Sequence, residues 1–359
     1  MQIYYSNFQD RCSTIHYLII VGDNGTGKSA FGDTFEALGY RAVNMTDPTP
    51  ANWYRVLGSI EFGQVTIIAD EADKIDLSQQ IMSILKTGYH IKGKVPRMDK
   101  DNKIQEFFNT YCFKIIVCEK SPNPLNAKGF LDRSFIIKSF IGFPQYDIKE
   151  IRNPQGNAIR KQLFDEINDL RKLLLIFRLV NFKEPLPEID IGIDGRDKEL
   201  CKPLLQLFYN TEVQNEIEET LQFFVNIKNK RKENTIEALI YPVIINAISQ
   251  YGSEISSTKI WNLITYSIEG TIDEKNPNIF HSSDYGSLYR NIIIKMISDK
   301  FGVEIKHKEN GNILIFNLEN VKRIGRIYYN KNGIQTKLVT GNINQNSISN
   351  NFSDWIIMK

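Results

Sequence analysis

Residues 22–29 read G-D-N-G-T-G-K-S, a spacing of glycines, lysine and serine that wraps a backbone around phosphate. Gly22, Gly25 and Gly27 let N–H groups of a turn through Asp23, Asn24 and Thr26 point inward with no Cβ in the way. A helix opening at Lys28 adds the positive end of its dipole. Lys28 is placed to reach the β- and γ-phosphates, and the Ser29 hydroxyl to ligate Mg²⁺. The alternative is a glycine-rich turn that binds nothing, and the apolar run before the turn argues against it. The expected cofactors are therefore ATP and Mg²⁺.

A second motif supplies what hydrolysis needs. V-T-I-I-A-D-E-A-D puts Asp70 and Glu71 at the end of an apolar strand. Asp70 can hold Mg²⁺ opposite Ser29, and Glu71 is the residue type that polarises an attacking water. Small-molecule kinases have no need of such a glutamate. Two solvated acids at a strand end are the alternative.

Next comes Y-H-I-K-G-K-V-P-R-M-D-K-D-N-K, where Lys92, Lys94, Arg97, Lys100 and Lys103 outnumber Asp99 and Asp101. Gly93 and Pro96 suit a hairpin or loop better than a helix. Cations at this density suffice to hold a nucleic-acid backbone, and a solvated basic loop accounts for them equally simply.

The elements that must position these residues follow from hydrophobic pattern. Strands are expected at 15–21, 41–44, 64–69, 113–118 and 133–138, with helices at 28–38, 51–60 and 76–87 between them. Strands alternating with helices predict an α/β fold with a parallel five-stranded sheet. The strands at 64–69 and 113–118 are apolar nearly throughout, as central parallel strands are. From 146 to 235 the pattern turns helical. From 236 to 330 three helices (236–250, 257–267, 284–301) precede a hairpin turning on Asn310-Gly311, the layout of a winged helix. Its third helix carries Arg290, Lys295 and Lys300, and its hairpin carries Lys306, His307 and Lys308; Arg290, Lys306 and Lys308 are the expected DNA contacts, with a protein-interaction module as the alternative. The basic run at Lys228, Lys230, Arg231 and Lys232 reads as an exposed linker. The expected division is 1–145 for the ATPase domain, 146–235 for a helical lid, 236–330 for the winged helix and 331–359 for a loose tail.

Together, G-D-N-G-T-G-K-S, I-I-A-D-E-A-D, S-I-L-K-T-G-Y-H-I-K-G-K-V-P-R, F-L-D-R-S-F-I-I and, later, G-R-D-K-E-L-C-K-P-L-L-Q-L-F resemble the AAA+ ATPases. They resemble in particular the superfamily 3-like ATPase domains associated with primase–helicases of phages, plasmids and integrated elements, over about residues 20–210. The resemblance implies ATP hydrolysis in a homo-oligomeric ring, a hexamer, working on single-stranded or forked DNA. It gives the basic segment at 92–103 the place of a pore hairpin. It makes Arg133 an arginine finger for the neighbouring subunit's γ-phosphate, with a structural arginine paired to Asp132 or Glu119 as the alternative. Arg196 becomes a second arginine sensor on ATP, or else a surface arginine. The chain departs from the family at the tip of the fourth strand, where V-C-E-K-S replaces the usual polar sensor and leaves Glu119 and Ser121 as candidates. The chain begins barely fifteen residues before the first strand. A primase-like region is thus expected on a separate protein, or is dispensable.

Bulk properties bound the rest. A chain of 359 residues calls for two or three domains, and 42% apolar with 24% charged residues is a globular composition. A net charge of +2 means that nucleic-acid contact depends on local clusters. No run approaches the roughly 18 apolar residues of a membrane span, and M-Q-I-Y-Y-S-N is no signal peptide. The four scattered cysteines read as buried thiols in a reducing compartment, the cytoplasm, without zinc.

The leading expectation is a DNA motor, a replicative helicase or helicase-like protein of a mobile element. An ATP-switched winged-helix regulator or helicase loader is the alternative. A protein-remodelling ATPase is a third, for which Tyr89-His90 would be the pore aromatics.

Overall fold

The computed structural model describes residues 1–59, 63–98, 105–233, 235–308, 311–329 and 337–338. Its contacts divide it into two units, Met1–Phe224 joined by Lys337–Leu338, and Val225–Asn332.

The first unit opens with a short helix, α1 (Gln2–Ser6), and a 3₁₀ turn. Neither was expected from the pattern. Tyr5, Phe8 and Gln9 are buried, and the Gln9 side chain takes the Phe113 backbone N–H and donates to Thr66. Seven strands follow: β1 (Tyr17–Val21), β2 (Ala42–Thr46), β3 (Thr66–Asp70), β4 (Lys94–Met98), β5 (Gln105–Asn109), β6 (Phe113–Cys118) and β7 (Ser134–Lys138). Five of them form a parallel sheet in the order β2-β3-β6-β1-β7. This is the α/β sheet expected, with an order that suits a P-loop NTPase. β6 is buried at every position, which its F-K-I-I-V-C sequence permits because helices cover both faces.

Helices α2 (Lys28–Leu38), α3 (Pro50–Gly58), α4 (Gln79–Thr87) and α5 (Pro124–Leu131) connect the strands. Local sequence sets their starts. Thr49 caps α3 by accepting from Asn52 N with Pro50 at the first position, and Ser78 caps α4 by accepting from Ile81 N. Gly32 of α2 lies against Ile68 of β3, where even a Cβ would make an ordinary 3.4 Å contact with Ile68 Cγ2.

Four more helices follow: α6 (Ile148–Arg152), α7 (Ala158–Asn181), α8 (Gly195–Leu207) and α9 (Gln214–Glu233). The buried Arg178 of α7 pairs with Asp10 at 2.6 Å and ties this helix to the N-terminal turn. A two-residue strand, β8 (Ile189–Asp190), pairs with Lys337–Leu338. That stretch of the expected tail is therefore held by the first unit; 339–359 lie outside the described residues. The basic run at 228–232 is part of α9 and not a linker between elements; Lys228 is buried and Lys230 exposed.

The second unit contains α10 (Ile236–Tyr251), β9 (Glu254–Ser256) and α11 (Ser257–Tyr266), then β10 (Gly270–Ile272), β11 (Ile279–Ser282) and β12 (Gly286–Tyr289). It closes with α12 (Arg290–Phe301), β13 (Glu304–Lys308), β14 (Gly311–Ile315) and α13 (Leu318–Tyr329). β13 and β14 form the expected hairpin, and β9 adds to it as a third strand. Ile244, Trp261, Ile264, Ile297, Phe301 and Leu314 fill the core. Two expectations are corrected. The third helix begins at Arg290, not at 284, and β10, β11 and β12 form an antiparallel sheet between the second and third helices. Tyr289 is extended backbone before the helix start, and G-S-L-Y pairs across β11 instead of coiling.

Candidate active site

The loop at 22–29 leaves the end of β1 and enters α2. Gly25 and Gly27 take φ of +80° and +81°, the left-handed region that costs other residues strain. Gly22 has a different reason to be glycine: a Cβ there would meet Ser139 O at 2.7 Å. Thr26 closes the turn by donating from Oγ1 to Asp23 O at 2.7 Å. Lys28 Nζ donates to Gly22 O at 2.5 Å and Asp23 O at 2.8 Å, which places the ammonium inside the curl of the loop.

A cleft of 530 Å³ brings Asn24, Thr26, Lys28 and Ser29 together with Asp70, Glu71, Asp73 and Glu119. That size suits a small ligand. Asp70, Glu71 and Asp73 come from the end of β3 and Glu119 from the end of β6, which lies between β3 and the β1 strand that leads into the loop. Glu71 holds φ of +54°, an uncommon conformation for a non-glycine residue, with its N–H on Asp70 Oδ1 at 3.0 Å. Such outliers persist where surrounding contacts enforce them and concentrate at functional sites. The cleft thus gathers glycine-loop amides, a lysine, a hydroxyl and a carboxylate of the kinds that ligate metals (Ser29 and Asp70) and a second carboxylate, Glu71. These residues fit ATP with Mg²⁺ by donor type.

At the tip of β6, Glu119 lines the cleft, whereas Ser121 does not. Burial pushes the Cys118 thiol up to about 12, so it lines the cleft as a neutral group. Asp73, which the motif displayed without a role, accepts the N–H groups of Glu119 (2.7 Å) and Lys120 (3.3 Å). Its spacing three residues after Asp70 was the available signal.

Arg133 stands at the other end of the sheet. It precedes Ser134, which pairs with Tyr17 at the start of β1, and its carbonyl accepts from Tyr17 N. The loop lies beyond Val21, four strand steps or about 13 Å away. Arg133 is therefore separated from its own chain's phosphate loop. Its guanidinium donates to Gly129 O and stacks over Tyr89 at 4.2 Å. Arg196 pairs with Asp132 at 3.6 Å, both partners about two-fifths exposed. Arg196 is not among the residues lining the phosphate-loop cleft of its own chain. Arg196, in the first turn of α8, is held by Asp132, the residue before Arg133.

The basic segment forms an antiparallel hairpin of β4 and β5, with Arg97 opposite Glu106. Its root is tightly packed. A Cβ on Gly88 would meet Thr110 O at 2.3 Å, and one on Gly93 would meet Thr87 O at 2.2 Å. The glycines of T-G-Y-H-I-K-G thus permit the hairpin to leave α4. Buried Lys114 of β6 reaches the same root and donates to Thr110 O at 2.6 Å. Lys92, Lys94 and Arg97 are exposed, with Arg97 over the Tyr54 ring at 4.6 Å. Lys100 and Lys103 lie outside the described residues. Tyr89, expected as a pore aromatic under protein remodelling, is instead covered by Arg133, and His90 Nδ1 accepts from Lys92 N at 3.1 Å.

In the second unit, Arg290 donates to Asn278, Ser257 and Thr258, which anchors the start of α12. A groove of 630 Å³ runs beside α12, lined by Asn278, Arg290, Asn291, Lys295 and Asn312 among others. Lys306 and Lys308 sit exposed on β13. Cys12, Cys112, Cys118 and Cys201 are all buried and none is in a disulfide. Among the described residues no helix is long and apolar enough to cross a membrane.

No protein-family model matches the chain, and no curated protein matches it. Among solved structures, it is similar to the A form apo structure of the NrS-1 C terminal region, at 14% identity, over 87% of this chain and 70% of that one, with a TM-score of 0.38. It is also similar to a point mutant of RuvB from Thermotoga maritima, at 11% identity, over 89% and 93% of the two chains, with a TM-score of 0.26.

Proposed function

We propose that this chain is a Mg²⁺-dependent ATPase of the AAA+ type that acts on DNA, a replicative helicase or helicase-like motor of a mobile element. The observation that carries the hydrolytic part is the single cleft joining Lys28 and Ser29 to Asp70 and to Glu71 in its left-handed conformation. Lys28 and the loop amides hold the β- and γ-phosphates, Ser29 and Asp70 hold the metal, and Glu71 takes a proton from the attacking water. Mg²⁺ when bound neutralises charge developing on the phosphate oxygens.

Work on DNA is supported by the exposed Lys92, Lys94 and Arg97 on a hairpin rooted against α4 and β6. In this reading the ring is a hexamer, and Arg133 completes the neighbour's site because it stands about 13 Å from its own. Arg196 belongs to that same contact. Residues 146–235 act as the lid, 236–330 as a winged helix, and a primase would be a separate partner.

One observation favours a second reading, an ATP-switched DNA-binding regulator or loader. The groove beside α12 presents Asn291, Asn312 and Lys295, residue types that read base edges and phosphates. Hydrolysis is tested with Glu71→Gln, which should bind Mg-ATP as the unmodified protein does and lose at least a hundredfold in turnover. Full activity in Glu71→Gln would remove the assignment.

A further inference from the structure

The chain just beyond β7 carries an apolar stretch that is open to solvent. Phe140 is 76%, Ile141 70% and Phe143 95% exposed. An apolar cluster this open on a protein surface marks a place where something binds. Both ends of the segment are fastened to the phosphate-loop unit. At the near end, Ser139 N donates to Val21 O at 2.7 Å and Ser139 Oγ to Thr26 O at 2.6 Å. At the far end, α6 stands on α2, with Arg152 on Glu36 at 2.6 Å and Lys149 by Asp33 at 3.8 Å. Residues 140–146 therefore bridge from the floor of the loop to the flank of its helix.

The sheet order says which end of a bound nucleotide meets this bridge. Asp70 and Glu71 end β3, which lies on one side of β1; β7 lies on the other. A triphosphate seated in the loop directs its γ end towards the carboxylates that hold metal and water. Its nucleoside end must then leave on the opposite flank, over the end of β7, where 140–146 begin. The segment that begins there carries the exposed rings of Phe140 and Phe143, which match the flat apolar face of a base.

We propose that Phe140 and Phe143 form the nucleobase platform of this cleft and hold purine nucleotides by stacking, a role that rests on the nucleotide reading of the phosphate loop. Stacking recognises the face of a ring and not its edge, so adenine and guanine are held alike. A polar contact of the segment, Gln145 Nε2 to Tyr146 OH at 3.2 Å, is internal to it.

Titration calorimetry on the full chain separates the outcomes. Mg-ADP, Mg-GDP and tripolyphosphate are titrated into the unmodified protein, into a Phe140→Ala/Phe143→Ala variant and into Phe143→Trp. The double variant should bind both nucleotides tenfold or more weakly, with tripolyphosphate affinity unchanged, and Phe143→Trp should retain the nucleotides. Unchanged nucleotide affinity in the double variant overturns the proposal, as it would if these rings instead joined two copies of the chain. An equal loss for tripolyphosphate overturns it too, since the effect would then lie in the loop. A preference above about tenfold between the two nucleotides contradicts stacking alone. If the unmodified protein binds none of the three ligands, the phosphate-loop reading itself has failed.

Discussion

Asp73 Oδ1 accepts the backbone N–H of Glu119 at 2.7 Å, which ties the strand end bearing Asp70 and Glu71 to the tip of β6. Asp76 continues the tie by accepting Asn123 N at 2.8 Å, where the chain enters α5. α5 leads directly to Arg133. A continuous run of contacts and chain thus joins the strand end of Asp70 and Glu71 to the arginine at the far end of the sheet.

Loosening that tie should slow chemistry more than binding. Asp73→Ala should lower kcat about tenfold to a hundredfold with little change in nucleotide affinity, because a small misplacement of reacting groups is costly. Asp73→Asn keeps an acceptor oxygen and should recover most of the loss. Steady-state kinetics on both variants checks this, and an unchanged kcat in Asp73→Ala would contradict it.

Arg133 cannot serve its own phosphate loop from the start of β7. Arg133→Ala should be inactive by itself, at a cost of roughly a thousandfold or more for a lost arginine finger. Mixing it with inactive Glu71→Gln should restore part of the activity, since each supplies what the other lacks. Absence of recovery at every mixing ratio would count against a shared site.

Arg178 and Asp10 form an ion pair with both side chains more than nine-tenths buried. Arg178→Ala leaves a buried carboxylate unpaired and should destabilise the first unit by about 3–5 kcal/mol. Urea unfolding would register this as a lower midpoint; a shift below about 1 kcal/mol would show that water reaches the pair.

The phosphate loop and the Asp70-Glu71 strand end were legible because their chemistry depends on local spacing. The same holds for the helix at 28–38, which starts at a glycine turn and ends at Gly39 as its sequence says. Gly93 and Pro96 left a hairpin or a loop open for the basic segment, and the second strand of the hairpin, Gln105–Asn109, was not expected. What was not legible depends on distant partners. The pairing of Arg196 with Asp132 spans 64 positions and needs the sheet to be assembled first. β10, β11 and β12 have three or four residues each, too few for a period of two to stand out. The N-terminal helix has five residues, and what holds it is burial of Tyr5 and Phe8 against the assembled domain.

If the Lys28–Glu71 cleft hydrolyses ATP to work on DNA through the basic hairpin, DNA must quicken turnover and the hairpin's cations must carry that response. The most direct test is the ATPase rate with and without single-stranded DNA, in the unmodified chain and in Lys94→Ala/Arg97→Ala. The rate should rise several-fold with DNA in the unmodified chain and not at all in the double variant, with its basal rate intact. A DNA response of equal size in both proteins would contradict it.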